Sequence, residues 1–303
     1  MSPAKLVLSA AVFLLLTAGI FWHQFHQIEA GAARPAWDRL RWGYLPLIVA
    51  CLPVETVAAA WRMRILCRVL HPDVGLWSCV KAELANASIS ILTPSQTGGG
   101  PAQIYMLSRA GVGLGVSLTV SLVSFMATTV VLLLMGLYTV FVSGAAAGAP
   151  LFAAAFWTII AVMLAMVAAA LFPGLFRVAL GGALRVVRLV RGGRAAPEGR
   201  LERLAGRLVE LAYGYHDDAR AFLARGKRSF LAACLLSAVF LFARALMPFL
   251  CLRFLGVEGA TPGRTVEVQT ALIFLVFFAP TPGAAGLAEA ASAAFLSATV
   301  PAG

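Results

Sequence analysis

Apolar residues in this chain gather into blocks close to the length of a bilayer crossing. Such blocks lie at residues 6–21, 42–60, 116–142, 151–172 and 229–250. A hydrophobic span needs about 20 residues, so each block predicts a spanning helix. Trp22, Trp42, Tyr44 and Trp61 stand at block ends, where an aromatic belt meets the membrane interfaces. Two stretches break the pattern with proline, glycine and polar residues. The first reads Ile91-Leu92-Thr93-Pro94-Ser95-Gln96-Thr97-Gly98-Gly99-Gly100-Pro101-Ala102-Gln103. The second reads Phe278-Ala279-Pro280-Thr281-Pro282-Gly283-Ala284-Ala285-Gly286-Leu287-Ala288-Glu289. Hydrocarbon offers the backbone no hydrogen-bond partner, so irregular chain at membrane depth must be buried in protein or line a wet cavity. Paired broken segments in the two halves of a chain point to a transport site.

Charge sets the orientation. Residues 177–228 hold twelve basic side chains against five acidic ones, +7 of the net +11. Arginine crowded between two spans places that loop in the cytoplasm. Leu201, Leu204, Leu208 and Leu211 recur within it at helical spacing. They predict amphipathic helices, lying on the membrane surface or packed on the bundle as a connector. With Lys5 inside, residues 23–41 face outward and the 42–60 helix runs inward to Arg62, Arg64 and Arg68. Residues 76–115 then leave and return by the cytoplasmic face, which makes them a re-entrant hairpin turning at 93–101. Residues 266–279 are too short to span at about 1.5 Å per residue, and they break at 280–286 before a short helix at 287–299. That second hairpin enters from outside. The expected architecture is an all-α polytopic membrane protein of about five spanning helices and two broken hairpins arranged as an inverted repeat.

Composition agrees with one membrane domain covering residues 1–303. The chain is 61% hydrophobic and 12% charged, with mean hydropathy +0.89, whereas soluble domains carry about 25% charged residues. Because the positive charge is concentrated in one loop, it implies anionic lipid headgroups rather than nucleic acid. Lys5 and the following apolar run have the look of a signal peptide with Ala30-Gly31-Ala32 as its cleavage site. Trp22, His23, Phe25 and His26 lie between the run and that site, and the segment reads as an uncleaved first helix. Cys51, Cys67, Cys79, Cys234 and Cys251 form no CxxC pair and are odd in number. They read as packing residues rather than a disulfide or zinc framework.

The candidate chemistry lies at membrane depth. Arg244 falls within the 229–250 block, Glu289 opens the helix after the second break, and Glu55 lies within the 42–60 block. Charges there cost roughly 2.5–3.5 kcal/mol each and call for a function or a partner. Two readings stand: Arg244 binds a lipid phosphate with Glu289 as its counter-charge when empty, or Arg244 and Glu289 form a permanent lock. Thr93, Ser95, Gln96, Thr97 and Gln103 offer neutral hydrogen bonds. Gly98, Gly99 and Gly100 allow close backbone approach, and their amides lead into a helix start suited to an anion. The bland alternative is that these glycines only make the turn. Pro94, Pro282, Gly283 and Gly286 complete the two breaks. His23, His26 and Glu29 have metal-ligand spacing but read as interfacial residues at a helix end. His216-Asp217-Asp218 reads as solvated. Gly111, Gly113 and Gly115 follow no strand, so they form no nucleotide motif. There is no P-loop, GxSxG or zinc-protease motif, and no metal or cofactor is expected.

Thr93-Pro94, then Gly98-Gly99-Gly100-Pro101-Ala102-Gln103-Ile104-Tyr105-Met106-Leu107, then Pro280-Thr281-Pro282-Gly283 and Gly286 leading to Glu289 resemble the flippase-like membrane domain of lysylphosphatidylglycerol synthases. Members of that family usually continue with a further spanning helix where this sequence stops at Val300-Pro301-Ala302-Gly303. Full synthases add a large soluble aminoacyl transferase that this sequence does not contain. The resemblance therefore implies lipid handling in a bacterial inner membrane, not lysine transfer. On that basis the chain is expected to bind or flip a phospholipid or lipid-linked phosphate. The alternatives are an intramembrane headgroup transferase and a non-catalytic membrane partner of a separate lipid-modifying enzyme. The lack of a nucleophile–base pair at a plausible site counts against the transferase.

Overall fold

The computed structural model describes residues 40–93, 96–141 and 217–277, with isolated helical positions at 15–22 and 157–168. Six helices are described from end to end, α1 Leu45–Cys67, α2 Leu76–Ile91, α3 Gly99–Arg109, α4 Leu114–Phe141, α5 Lys227–Phe254 and α6 Pro262–Phe277, and residues 217–225 are helical as well. No strand occurs among them. Three stretches are long and apolar enough to cross a membrane, Trp42–Cys67, Leu114–Thr139 and Lys227–Phe254. They match the expected spans at 42–60, 116–142 and 229–250. The expected spans at 6–21 and 151–172 lie largely outside the described residues, as do the second break and the 177–215 segment.

α1 starts from a 3-10 turn at Trp42–Tyr44, with a proline in its first turn where a missing N–H costs nothing. It packs most closely on α5, and small residues on its buried face (Ala58, Ala59 and Ala60) let the backbones approach. The two helices run antiparallel. Arg41 N–H donates to Phe254 O at 2.9 Å, Trp42 meets Phe254 edge-on at 5.7 Å, and Arg41 pairs with Glu258. Both helices contain a proline, Pro53 in α1 and Pro248 in α5. Each removes a helical donor and frees the carbonyl four residues earlier. In α5 that carbonyl belongs to Arg244.

Between these spans α2 and α3 form a helix–turn–helix, with the turn where the sequence placed it. At about 1.5 Å per residue neither arm crosses a bilayer. α3 ends at Gly111, whose φ of +87° lets Val112 N–H reach back to Leu107 O. The interior has two apolar layers. One joins Met63, Leu66 and Cys67 of α1 to Cys79 and Ala82 of α2, Leu107 of α3, Val120 of α4 and Ala233 of α5. The other joins Val131–Leu133 of α4 to Leu241 of α5 and Ala271 of α6. In the first layer the end of α1 meets the starts of α2, α4 and α5 and the end of α3. The hairpin therefore returns to the end of the bundle it left, where Arg68, Arg109, Lys227 and Arg228 also stand. All five cysteines are free, with Cys67 and Cys79 facing each other in this layer.

Candidate functional site

Thr93 builds the α2–α3 turn. It is buried, its hydroxyl donates to Ile89 O at 2.9 Å, and it accepts from Gly98 N–H at 2.9 Å. One side chain thus ties the last turn of α2 to the first of α3. Gln96 sits at φ +56°, a left-handed conformation uncommon outside glycine, and its carbonyl accepts from Gly99 N–H at 3.3 Å. The amides of Gly98 and Gly99 are therefore occupied, and Pro101 has none. The anion cradle expected of this turn reduces to Gly100. Pro94 and Ser95 lie outside the described residues.

The three glycines differ in what surrounds them. A Cβ at Gly99 would come within 2.0 Å of Ser90 Oγ, 2.1 Å of Asn86 Oδ1 and 3.0 Å of Asn86 O, whereas one at Gly100 meets nothing within 4 Å. Gly99 is the point where α3 lies against α2, and Gly100 is open. Gly99→Ala should therefore destabilise the protein by about 1–3 kcal/mol through overpacking. Gly100→Ala should be neutral or gain up to about 1 kcal/mol of helix propensity. Thermal unfolding of the two variants in the same detergent measures the contrast.

Gln103 leads inward from this turn to a polar layer between the two apolar ones. Gln103 Nε2 donates to Glu83 Oε1 at 3.3 Å, and its Oε1 accepts from Ser121 Oγ at 2.6 Å. Glu83 Oε1 also accepts from Arg62 Nη2 at 3.3 Å. Arg62 Nη1 donates to Thr128 Oγ1 at 2.5 Å and Ser237 Oγ at 3.2 Å, and its guanidinium lies 5.4 Å from the Phe240 ring centre. Five helices meet in this network, and Arg62, Glu83 and Gln103 are each more than nine-tenths buried. Sequence reasoning had used Arg62 only as the inner end of a span and had passed over Glu83. The signal was present: Glu83 shares a helical face with Cys79 and Ala82, and Arg62 shares one with Ala59, Met63 and Leu66.

Arg244 lies further along α5, half-exposed, with Glu55 Oε1 3.9 Å from its Nε and the Phe240 ring 5.9 Å away. Glu55 is its carboxylate neighbour among the described residues. Glu289, with Pro282, Gly283 and Gly286, lies outside them, as do His23, His26, Glu29 and His216. Beside Arg244 runs a groove of about 710 Å³ between α1, α4, α5 and α6, whose lining includes Val54, Val131, Met135, Ala238, Ala243 and Leu246. Every side chain on that lining is apolar. Arg244 follows Ala243 and Glu55 follows Val54, so the ion pair borders the groove. Ala238 of the lining is the chain neighbour of Ser237, while Ser237 itself is fully buried. The arrangement offers one cation at the edge of an apolar groove, a geometry for holding an amphiphile with an anionic head.

No curated protein and no solved structure shows significant similarity to this chain. The family described as lysylphosphatidylglycerol synthase TM region matches residues 4–303. That match takes in α1 to α6, the α2–α3 turn and the second break, and its name places the chain among membrane proteins associated with lipid handling. The chain belongs to the lysylphosphatidylglycerol synthase TM region family.

Proposed function

We propose that this protein binds a phospholipid or lipid-linked phosphate and carries it between leaflets, with the phosphate on Arg244 and an acyl chain in the groove beside it. One observation supports this above the others. A half-exposed arginine borders a wholly apolar groove on a spanning helix. The groove lies within the roughly 300–1,000 Å³ of ordinary ligand pockets, and an arginine at that depth costs free energy unless an anion meets it. The α2–α3 turn forms a re-entrant hairpin reaching in from the cytoplasmic face. The second break, with Pro282, Gly283, Gly286 and Glu289, completes the site from the opposite face. The protein works in the bacterial inner membrane with its basic end in the cytoplasm.

Purified protein in vesicles, assayed with headgroup-labelled phosphatidylglycerol, tests the reading. Label should change leaflet without covalent change, and Arg244→Leu should abolish the movement. Equal rates in wild type, Arg244→Leu and protein-free vesicles would remove the proposal. Orientation is tested separately by introduced cysteines. Impermeant reagent added outside whole cells should label 143–150 and 253–264 but not 177–228. Labelling of 177–228 would invert the assignment.

A further inference from the structure

We propose that the Arg62 cluster is a second headgroup station, an anion site for a lipid phosphate in which Glu83 is an exchangeable counter-ion. The inference rests on the lipid-binding reading above and adds a place for the head to go. Charge comes first. Arg62 and Arg64 approach the layer from α1, and Arg64 stands near Cys79, one turn from Glu83. Glu83 pairs with Arg62, and Arg64 has no carboxylate within ion-pair distance among the described residues, its guanidinium lying over Trp61, so the layer holds one cation in excess. A phosphodiester, with a single negative charge, would balance the excess.

Hydrogen bonding gives a second, independent reason. The Nε atoms of both Arg62 and Arg64 are buried with no acceptor among the described residues, and buried donors left unsatisfied are costly. The existing pair is also loose. Glu83 uses the same oxygen toward Arg62 and Gln103, each at 3.3 Å, while charge-assisted bonds settle at about 2.7–2.9 Å. A phosphate brings several acceptor oxygens to donors that Glu83 does not saturate. The hydroxyl of Ser237, already on the guanidinium, would donate to a further oxygen, whereas that of Thr128 gives its proton to Ser124 O at 3.1 Å.

The groove and the cluster are also neighbours along α4 and α5. Ala238 of the groove lining is the neighbour of Ser237, and Val131 lies one turn from Thr128. Phe240 carries Arg62 at 5.4 Å and Arg244 at 5.9 Å from its ring centre, both within cation–π range. A headgroup leaving Arg244 therefore passes one aromatic ring before meeting Arg62, while its acyl chain stays in the groove.

The test uses full-length protein reconstituted in phosphatidylcholine doped with phosphatidylglycerol, with retained lipid counted by native mass spectrometry. Glu83→Gln keeps the shape and removes the competing charge. It should raise retained phosphatidylglycerol several-fold over wild type, and Arg62→Gln in that background should erase the gain. A Glu83→Gln protein retaining only the wild-type amount would overturn the second station, since a structural lock does not bind lipid when opened. Should Glu83→Gln not fold, the charge-balanced Arg62→Gln/Glu83→Gln protein decides. It should fold yet move labelled lipid at a small fraction of the wild-type rate, and wild-type movement would overturn the proposal. Inorganic phosphate added as competitor separates the sources of the anion. Failure to displace the lipid supports a headgroup site, and full displacement at equal concentration would reduce it to a free-phosphate site. Loss of the second station alone leaves Arg244-dependent retention intact, whereas failure of the lipid reading removes retention from wild type too.

Discussion

Arg62→Leu is expected to be the most destabilising single change in the described bundle. It strands Glu83, which is 8% exposed, inside five packed helices with only the Gln103 amide left on it. Breaking a buried pair this way typically costs about 3–5 kcal/mol, enough to exhaust much of a domain's stability. Glu83→Leu should cost a similar amount, because it leaves Arg62 charged among Thr128, Ser237 and Phe240. The paired change Arg62→Leu/Glu83→Leu should recover most of the loss, since apolar residues of similar volume replace buried ion pairs at little net cost. Thermal unfolding of the four proteins in one detergent forms the cycle. Single-variant losses below about 1 kcal/mol would mean that water reaches the cluster. Recovered stability without recovered lipid movement would separate what the pair does for folding from what it does for the lipid.

Three of the expected spans were legible in the sequence and recur among the described residues, whereas the polar layer was not legible, and the reason is local. Hydropathy ends the first inward span at Ala60 because Arg62, Arg64 and Arg68 look like a positive interfacial end. The helix instead continues to Cys67, and Arg62 turns inward on the same face as Ala59 and Met63. A charge is read as exposed unless a partner is in view, and the partner is 21 positions away on another helix. The turn was legible because proline and glycine act on their own backbone. Its glycines were not separable, since whether a glycine is free or packed depends on the facing helix, here Asn86 and Ser90 of α2. Gln103 was picked out for its neutral hydrogen-bonding capacity and reaches the centre of the network, while Thr93 spends its hydroxyl on the turn. Arg244 was found from depth alone, but its neighbour Glu55 depends on the antiparallel register of α1 and α5, which no local pattern encodes.

Arg244→Leu should behave in the opposite way to Arg62→Leu, with little lost stability and most of the lipid binding gone. The pair with Glu55 is 3.9 Å long and half-exposed, beyond hydrogen-bond distance. Without a hydrogen bond in it, the pair does little to offset the burial of the guanidinium in the span. The charge itself costs roughly 2.5–3.5 kcal/mol at the centre of a span, so removing it offsets the lost pair. Binding is different. A hydrogen bond to a charged group contributes about 1.5–3 kcal/mol, so losing the guanidinium should weaken phosphatidylglycerol retention roughly ten- to a hundredfold. The alternative role, a lock between Arg244 and Glu289, predicts another pattern. Under it Arg244→Leu and Glu289→Leu each destabilise by several kcal/mol, and the double variant regains both stability and activity. Unfolding temperature and lipid retention, measured on the same samples of wild type, both singles, the double and Glu55→Leu, distinguish the two. A stable, fully active Arg244→Leu/Glu289→Leu protein would rule out Arg244 as the phosphate ligand, because a phosphate site cannot survive the loss of its cation.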